Sequence, residues 1–494
     1  MKLKVKFSKW SAGIPGVMLH PKTAEGIGIQ ITGRVSIKTL SKYPKELITV
    51  VDTIEKFVKE NEILISSETK EKLEISEKDF IDVNLAVPPK SLDYIKEKLN
   101  GKRLSKKKVN LIIADVVNNS LAETEIALFV SAMYKQGMNI RETVYLIKAI
   151  LKTGNLLNFK HKGMADKHCV GGVAGNRTTP IVVSICAAAG LYMPKTSSRA
   201  ITSAAGTADV IEVLTNVSFN PTQLKKIIRK TGAFMVWGGA LSMVPADSKI
   251  IGIEKALKID PEAQLLASIM AKKLAVGSKY ILIDIPFGKT AKIPNKEKAI
   301  LLKGKFEKLG KKFRKKLRCV LTDGSQPIGN GVGPVMELRD VMNVLNPTKK
   351  GPEDLKQKAI FLASELLALS GKAKRKNAKQ VAEEMLSSGK AFEKFKEIIK
   401  AQGGKVIDLK LPKFKKDIFS LRTGRVYEID NKKINTLARV AGCPVDKYAG
   451  IYSYIRVKDK VKKGEKILTI YAQSPARLQK AASFYSNIKP FTIR

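Results

Sequence analysis

The chain is poor in cysteine and histidine, and this scarcity excludes two kinds of site. Its 494 residues include only 4 Cys and 3 His. The cysteines lie far apart, and neither a C-x-x-C pair nor a zinc-ligand spacing occurs. We therefore expect neither a disulfide framework nor a zinc site, and a reducing, cytoplasmic location fits best.

Long apolar runs are also lacking. The longest candidate, residues 181–193, contains Ser184 and is shorter than the roughly 18 apolar residues that a membrane helix needs. Lysine alternates with apolar residues in residues 1–7, a pattern typical of a strand rather than of a signal peptide. We expect no association with a membrane.

Acidic residues are scarce relative to basic ones. The 90 Lys and Arg residues outnumber the 45 Asp and Glu residues, which gives a formal net charge of +45. Such an excess raises nucleic-acid binding as a hypothesis, but aromatic residues are only 6% of the chain, which is little for base stacking. A lysine-rich solvated surface is the favoured interpretation, and a nucleic-acid-binding protein is the non-enzymatic alternative. No specific nucleic-acid partner is expected.

Length and local patterns predict a multidomain α/β protein. The expected parts are an N-terminal β-rich domain, a helical lobe, a central α/β domain and a C-terminal α+β domain. Their predicted boundaries are residues 1–86, 91–160, 161–344 and 345–494.

Two local signals support this division. The pairs Ser120 with Glu123 and Asn139 with Glu142 each fit a capping box ahead of an apolar-periodic segment, which predicts helices there. Near the C-terminus, residues 455–461 and 467–471 flank a Lys-Gly turn and are predicted to form a hairpin.

Two segments rich in glycine and hydroxyl side chains are the most informative feature of the sequence. The first loop (residues 167–179) and the second loop (residues 197–207) each run into an apolar, helix-like segment. The first turn of a helix has amide hydrogens without intrahelical partners and a positive dipole end, so a phosphate is favoured there. Two such cradles in series predict an enzyme that handles phosphate twice.

The first loop also carries a family resemblance. The run D-K-H-C-V-G-G-V at residues 166–173 resembles the D-K-H-S-x-G-G-V signature of the thymidine and pyrimidine nucleoside phosphorylases. Further matches in the same order extend the resemblance from about residue 91 to the C-terminus. Within that superfamily, G-G-V-A-G-N-R-T-T at residues 171–179 and S-S-R-A-I-T-S at residues 197–203 are most similar to the archaeal AMP phosphorylase branch.

The resemblance implies a reaction of a nucleoside 5′-monophosphate with orthophosphate, giving a free base and ribose 1,5-bisphosphate in nucleotide salvage. AMP is the implied substrate, with CMP and UMP as further candidates. Carried over by position, the attacking phosphate would be held by Lys167 and Gly171. The implied AMP-binding residues are Gly172, Ser198, Arg199, Ala200, Ile201, Thr202, Ser203, Thr207, Ser268 and Lys292.

Asp260 matches the proton donor of the family. Glycosidic cleavage places negative charge on the departing base, so an acid at the base helps, and an aspartate needs a raised pKa to serve at neutral pH. From sequence alone, Asp260 before Pro261 is first a helix N-cap with proline at the first helical position. Orthophosphate is already anionic, so the implied scheme needs no metal and no cofactor.

Several assignments keep a structural alternative. Lys167 could be a surface lysine, Lys292 a solvated one, and Ser268 a small packing residue inside a helix. His168 could be a ligand or a structural donor, and Cys169, which stands where pyrimidine enzymes often have serine, is interpreted as a small filler. The enzymatic alternative is a thymidine or pyrimidine nucleoside phosphorylase. The resemblance also implies a homo-oligomer, at least a dimer.

Overall fold

The computed structural model describes residues 1–8, 10, 15–29, 33–77, 79–157, 159, 161–200, 203–241 and 243–494. The chain forms two compact units. Unit 1 comprises Met1–Gly154 and Val244–Ser268, and unit 2 comprises Asn155–Met243 and Ile269–Arg494. The multidomain α/β class expected from the sequence is confirmed.

The N-terminal part of unit 1 is a closed six-stranded barrel in the order β1-β5-β2-β4-β3-β6. Inward side chains such as Val35 and Ile37 are fully buried and alternate with more exposed residues, as strand periodicity requires. The strands are β1 (Lys2–Phe7), β2 (Gly16–Leu19), β3 (Arg34–Thr39), β4 (Glu46–Thr53), β5 (Glu62–Ile65) and β6 (Phe80–Leu85). Two short helices, α1 (Pro21–Ile27) and α2 (Ser67–Leu73), belong to the same region.

Helices form the rest of unit 1. They are α3 (Ser91–Leu99), α4 (Lys106–Asn118), α5 (Glu123–Gln136), α6 (Ile140–Lys152), α10 (Pro245–Leu257) and the first residues of α11 (Glu262–Ala275). The capping box at Asn139 is confirmed, because Asn139 and Glu142 cap each other's backbone amides at 2.9 Å. The box at Ser120 is wrong: α5 begins at Glu123, and Glu125 accepts from the amide of Ala122.

Unit 2 contains a parallel sheet in the order β11-β10-β7 and a parallel pair β8-β9. The strands are β7 (Ala165–Cys169), β8 (Met193–Ser197), β9 (Ala233–Trp237), β10 (Tyr280–Phe287) and β11 (Lys316–Asp323). The helices are α7 (Thr178–Ala188), α8 (Thr207–Ile211), α9 (Pro221–Thr231), α12 (Lys296–Lys312), α13 (Pro334–Leu345), α14 (Glu353–Ser370), α15 (Ala378–Ser387) and α16 (Lys390–Ala401), with a 3₁₀ turn at Gly238–Leu241. The apolar α7 packs against α14 and α16 in the core.

The C-terminal part of unit 2 is antiparallel. Its sheets have the orders β12-β15-β17-β13 and β16-β14-β18. The strands are β12 (Gly331–Val332), β13 (Phe414–Phe419), β14 (Gly424–Ile429), β15 (Gly450–Ser453), β16 (Lys460–Val461), β17 (Lys466–Ala472) and β18 (Phe491–Ile493), and the helices are α17 (Asn431–Ala441) and α18 (Pro475–Ile488). The predicted hairpin is wrong, because β16 pairs with β14 whereas β17 pairs with β13 and β15.

Over the described part of the chain, no helix combines the length and apolar character needed to cross a membrane. In the same residues, no cluster of three or more His, Cys, Asp or Glu side chains has an arrangement that could hold a metal ion.

Candidate active site

The first loop joins β7 to α7 in unit 2. Lys167 points from β7 into the protein, where only 1% of it is exposed, so it is not a surface lysine. Its Nζ donates to Thr178 Oγ1 at 2.7 Å and lies 3.5 Å from Thr179 Oγ1. Both threonines belong to the first turn of α7, an 11-residue helix. An ammonium group, two hydroxyls and a helix N-terminus therefore meet, which is a favourable setting for a phosphate.

Gly172 brings Lys292 to the same loop. Its φ is +88°, a conformation that L side chains rarely adopt, and a Cβ there would overlap the backbone nitrogen of Lys292. Two of the residues singled out from the sequence are thus adjacent through a close backbone approach, and Lys292 is half-buried rather than fully solvated.

Buried charges surround Lys167, and the positive ones are in excess. Asp166 pairs with Lys273 at 2.7 Å and with Lys195 at 3.5 Å, and Lys195 Nζ donates to the carbonyl oxygen of Lys167 at 2.9 Å. On the other side, Asp284 lies 3.6 Å from Lys358. Four lysines thus share two aspartates, and a bound dianion would favour the charged forms of the lysines.

Burial sets the protonation of this cluster. It lowers the pKa of Lys167 and of Lys195, and it lowers the pKa of Lys273 to about 7. The pKa of His168 lies well below its usual range because of burial and the neighbouring lysines, which keeps the imidazole neutral. Burial raises the pKa of the Cys169 thiol to about 11, so Cys169 is no thiolate nucleophile.

Sequence reasoning missed the partners of Lys167. Asp166 lies inside the run D-K-H-C-V-G-G-V, which was noted only for its resemblance. The residues not singled out as site residues are Lys195, Lys273, Asp284 and Lys358. A charged residue inside an otherwise apolar strand, as at Asp284 in β10, is the signal that could have found them.

The second loop follows β8, and a carboxylate just after it binds the backbone of the loop. Asp209 accepts from the amides of Ala200 at 2.8 Å and Gly206 at 2.7 Å. A Cβ at Gly206 would overlap the carbonyl oxygen of Ser198, so the two ends of the loop touch. The helix expected after this loop is only the five-residue α8, too short to form the second helical cradle predicted from the sequence.

Arg199 is already paired. Its guanidinium lies 2.7 Å from Glu212 and 3.1 Å from Asp209 and stacks over the ring of Trp237 at 4.8 Å. The pair with Arg199 lowers the pKa of Glu212 to about 2. Ser203 donates to the carbonyl oxygen of Ala205 at 2.6 Å. Ile201 and Thr202 lie outside the described residues.

Two of the residues singled out from the sequence lie in unit 1. Asp260 is exposed, whereas the expected role placed it in a buried environment. α11 begins at Glu262, and the backbone amide of Leu265 donates to the carbonyl oxygen of Pro261. Ser268 is 7% exposed within α11.

The family models define the class of the protein, an enzyme of the glycosyl-transferring type. Residues 92–154 match the glycosyl transferase family helical bundle domain, residues 161–392 its a/b domain, and residues 425–489 the pyrimidine nucleoside phosphorylase C-terminal domain. Anthranilate phosphoribosyltransferase from Thermus thermophilus shares the fold, with a TM-score of 0.53 and 16% identity, over 63% of this chain and 100% of that chain.

Full-length relatives define the family. The AMP phosphorylase of Pyrococcus furiosus is 42% identical and that of Thermococcus kodakarensis 41%, each over 100% of this chain and 98% of the relative. The AMP phosphorylase of Methanococcus aeolicus is 38% identical over 99% of this chain and 97% of its own. The chain belongs to the AMP phosphorylase family.

Proposed function

We propose that this chain catalyses the phosphorolysis of AMP to adenine and ribose 1,5-bisphosphate. A phosphate oxygen attacks C1′ of the ribose, the C1′–N9 bond breaks, and its electron pair leaves with the adenine, which takes up a proton. Both substrates are anions, so positioning them against charge repulsion is the main task of the protein.

One observation carries the proposal for the attacking phosphate. Lys167 is buried with its Nζ 2.7 Å from Thr178 Oγ1 at the start of α7, inside a cluster with more lysines than aspartates. At the same loop Gly172 lies close to the backbone of Lys292, and Gly171 has a positive φ of +96°. In this proposal Lys167 and the amides near Gly171 hold orthophosphate, which is already nucleophilic and needs no base.

The second loop is the proposed site for the nucleotide. Its hydroxyl side chains at Ser198 and Thr207 supply donors for a 5′-phosphate, and Ser203, whose hydroxyl donates to Ala205 in this structure, is a further proposed contact. The names of the relatives support AMP rather than a nucleoside as substrate. Lys292, adjacent to Gly172, and Ser268 are the remaining proposed contacts to AMP.

Asp260 is proposed to donate the proton to the departing base. The replacement Asp260→Asn should abolish most turnover while it spares AMP binding, because the amide keeps the shape of the side chain but cannot donate an acidic proton. Turnover rates close to those of the wild type would contradict the proposed role of Asp260 as proton donor.

A product assay tests the proposed reaction directly. Purified protein with orthophosphate is supplied separately with AMP, adenosine, CMP, UMP and thymidine, and the released bases are separated by chromatography. Adenine release from AMP but not from adenosine supports the proposal. Preferential cleavage of thymidine would replace it with a nucleoside phosphorylase.

Two coarser properties complete the proposal. We infer a homo-oligomer, at least a dimer, which light scattering of the purified chain would test. The cytoplasm, where nucleoside monophosphates are present, is the proposed location.

A further inference from the structure

Arg177 lies between the two loops and contacts both. It ends the first loop directly before α7 and is 8% exposed. Its Nη1 donates to Thr207 Oγ1 at 2.8 Å, and its Nη2 donates to the carbonyl oxygen of Ala205 at 2.7 Å. One side chain of the first loop therefore binds the second loop at two points.

Glu337 on α13 fixes the guanidinium in this position. It is 1% exposed, and its Oε2 accepts from Arg177 Nε at 2.7 Å while its Oε1 accepts from the amide of Gly333 at 3.1 Å. A buried ion pair contributes little net stability relative to apolar residues of the same size. The planar guanidinium with its forked donors does, however, fix the orientation of the two side chains. In this pair Nη2 also lies 2.7 Å from Glu337 Oε2, and the guanidinium is held with Nη1 and Nη2 toward the second loop.

The contact with Arg177 also orients the hydroxyl of Thr207. A hydroxyl has one proton and two lone pairs, and the Nη1 donor occupies one lone pair. Across the described ranges, Thr207 Oγ1 makes no hydrogen bond as a donor, so its proton is directed to an acceptor from elsewhere. An anionic oxygen of a nucleotide is such an acceptor.

The backbones of both loops are held independently of Arg177. On α17, Asn431 accepts from the amide of Ala174 at 3.0 Å and Asn435 accepts from the amide of Ala204 at 2.9 Å. These two residues are one helical turn apart and face the same side. Loss of the Arg177 side chain should therefore leave both loops in place and remove only the contacts to Thr207 and Ala205.

We propose that Arg177 is a positioning residue. It belongs to the loop of the phosphate site and orients a hydroxyl group of the nucleotide site. It fixes the Thr207 hydroxyl as a donor to AMP, at a position determined by the loop that holds orthophosphate. The inference rests on the proposed function, in which Thr207 contacts AMP. It predicts that Arg177 affects the KM for AMP far more than the KM for phosphate or kcat, because it supports ground-state binding of one substrate.

A double-mutant cycle tests whether Arg177 acts through Thr207. Arg177→Met and Thr207→Val should each raise the KM for AMP about tenfold, the effect expected from a hydrogen bond that involves a charged group. Together they should raise it little more than either alone, because both remove the same oriented donor. Independent, multiplicative effects or an unchanged KM for AMP would overturn the proposal.

Controls separate this role from general stability. Arg177→Met combined with Glu337→Gln removes both buried charges and should fold even if the single variant does not, with the same rise in the KM for AMP. Arg318→Met removes an arginine that pairs with Glu365 at 2.8 Å on β11, outside both loops, and should leave both KM values unchanged.

The proposed function itself can fail separately. If the wild-type protein releases no base from AMP, that function is wrong, and the cycle is repeated with AMP binding measured by calorimetry. Coupled losses of AMP affinity in that assay would still support the positioning role, and AMP affinity equal to wild type in all variants would overturn it.

Discussion

Around the first loop, buried lysines outnumber the carboxylates. In the second loop, by contrast, carboxylates that lie nearby in sequence balance the charge of Arg199. Lys167 and its three lysine neighbours share two aspartates, but Arg199 faces both Glu212 and Asp209. An anion at the first loop is stabilised by net charge in a region with little water to screen it. The second loop must rely on hydroxyl and amide donors, so its geometry matters more than its charge.

The largest expected effect follows from removing the charge at the first loop. Lys167→Met should raise the KM for phosphate about 100-fold, because a buried, charged donor to the anion is lost. Steady-state kinetics with varied phosphate measures it. Lys379→Met, which removes an exposed lysine paired within α15, should not change that KM. A first-loop variant with normal phosphate kinetics would contradict the proposed site.

Glycine-to-alanine variants should distinguish the roles of the two loops. Gly172→Ala forces a side chain into a positive φ and against Lys292, and Gly206→Ala forces one against Ser198. We expect the first variant to raise the KM for both substrates, because Gly172 lies in the phosphate loop and Lys292 is a proposed contact to AMP, and the second to raise only the KM for AMP, each by roughly tenfold. Gly304→Ala on α12 has open space around it and serves as control. Equal effects on both substrates in both variants would argue against distinct roles.

A smaller effect is expected when the second loop is given an excess of positive charge, as the first loop has. Glu212→Gln removes one of the two carboxylates that neutralise Arg199, so the local charge becomes more positive and the KM for AMP should fall about threefold. The matched variant Glu365→Gln alters a carboxylate paired with Arg318 and should leave KM unchanged. Weaker AMP binding in Glu212→Gln would show that the ion pair that orders the loop matters more for AMP binding than the local net charge.

Folding stability is also expected to depend on pH, because of Lys273 in the cluster around the first loop. The pKa of Lys273 falls from 10.5 to about 7 on folding, so between these values the unfolded chain binds a proton that the folded chain does not. The burial penalty is complete below pH 7 and is relieved as pH rises toward 10.5, by at most about 5 kcal/mol.

Thermal melts at several pH values measure this effect. The wild-type Tm should rise with pH relative to a variant that combines Asp166→Asn with Lys273→Met and so lacks the buried pair. A constant difference in Tm between the two proteins would mean that Lys273 does not titrate in this range.

Much of the fold could be predicted from the sequence where local signals decide. The capping box at Asn139 and the strand within residues 1–7 follow from short-range patterns, and both are present. The C-terminal hairpin was predicted from the same kind of signal and is wrong, because β17 pairs with β13 and β15, and β16 pairs with β14. The domain boundaries stay a prediction.

The candidate site divides in the same way. Motifs in the sequence identified Lys167, Gly172 and Lys292; the structure places Gly172 against Lys292, and Lys167 at the start of α7. The roles of Asp260, Ser268 and the second-loop residues stay predictions. Arg177 and the lysine cluster were missed because each depends on partners far along the chain, such as Glu337, 160 residues from Arg177.

The sequence alone determined the class of the protein, its family resemblance and the two loops, because helix starts, glycine turns and motif order are properties of neighbouring residues. Only the tertiary structure decided which charges are balanced. Burial and long-range pairing leave positive charge in excess at the first loop, neutralise Arg199 at the second, and connect the two loops through Arg177.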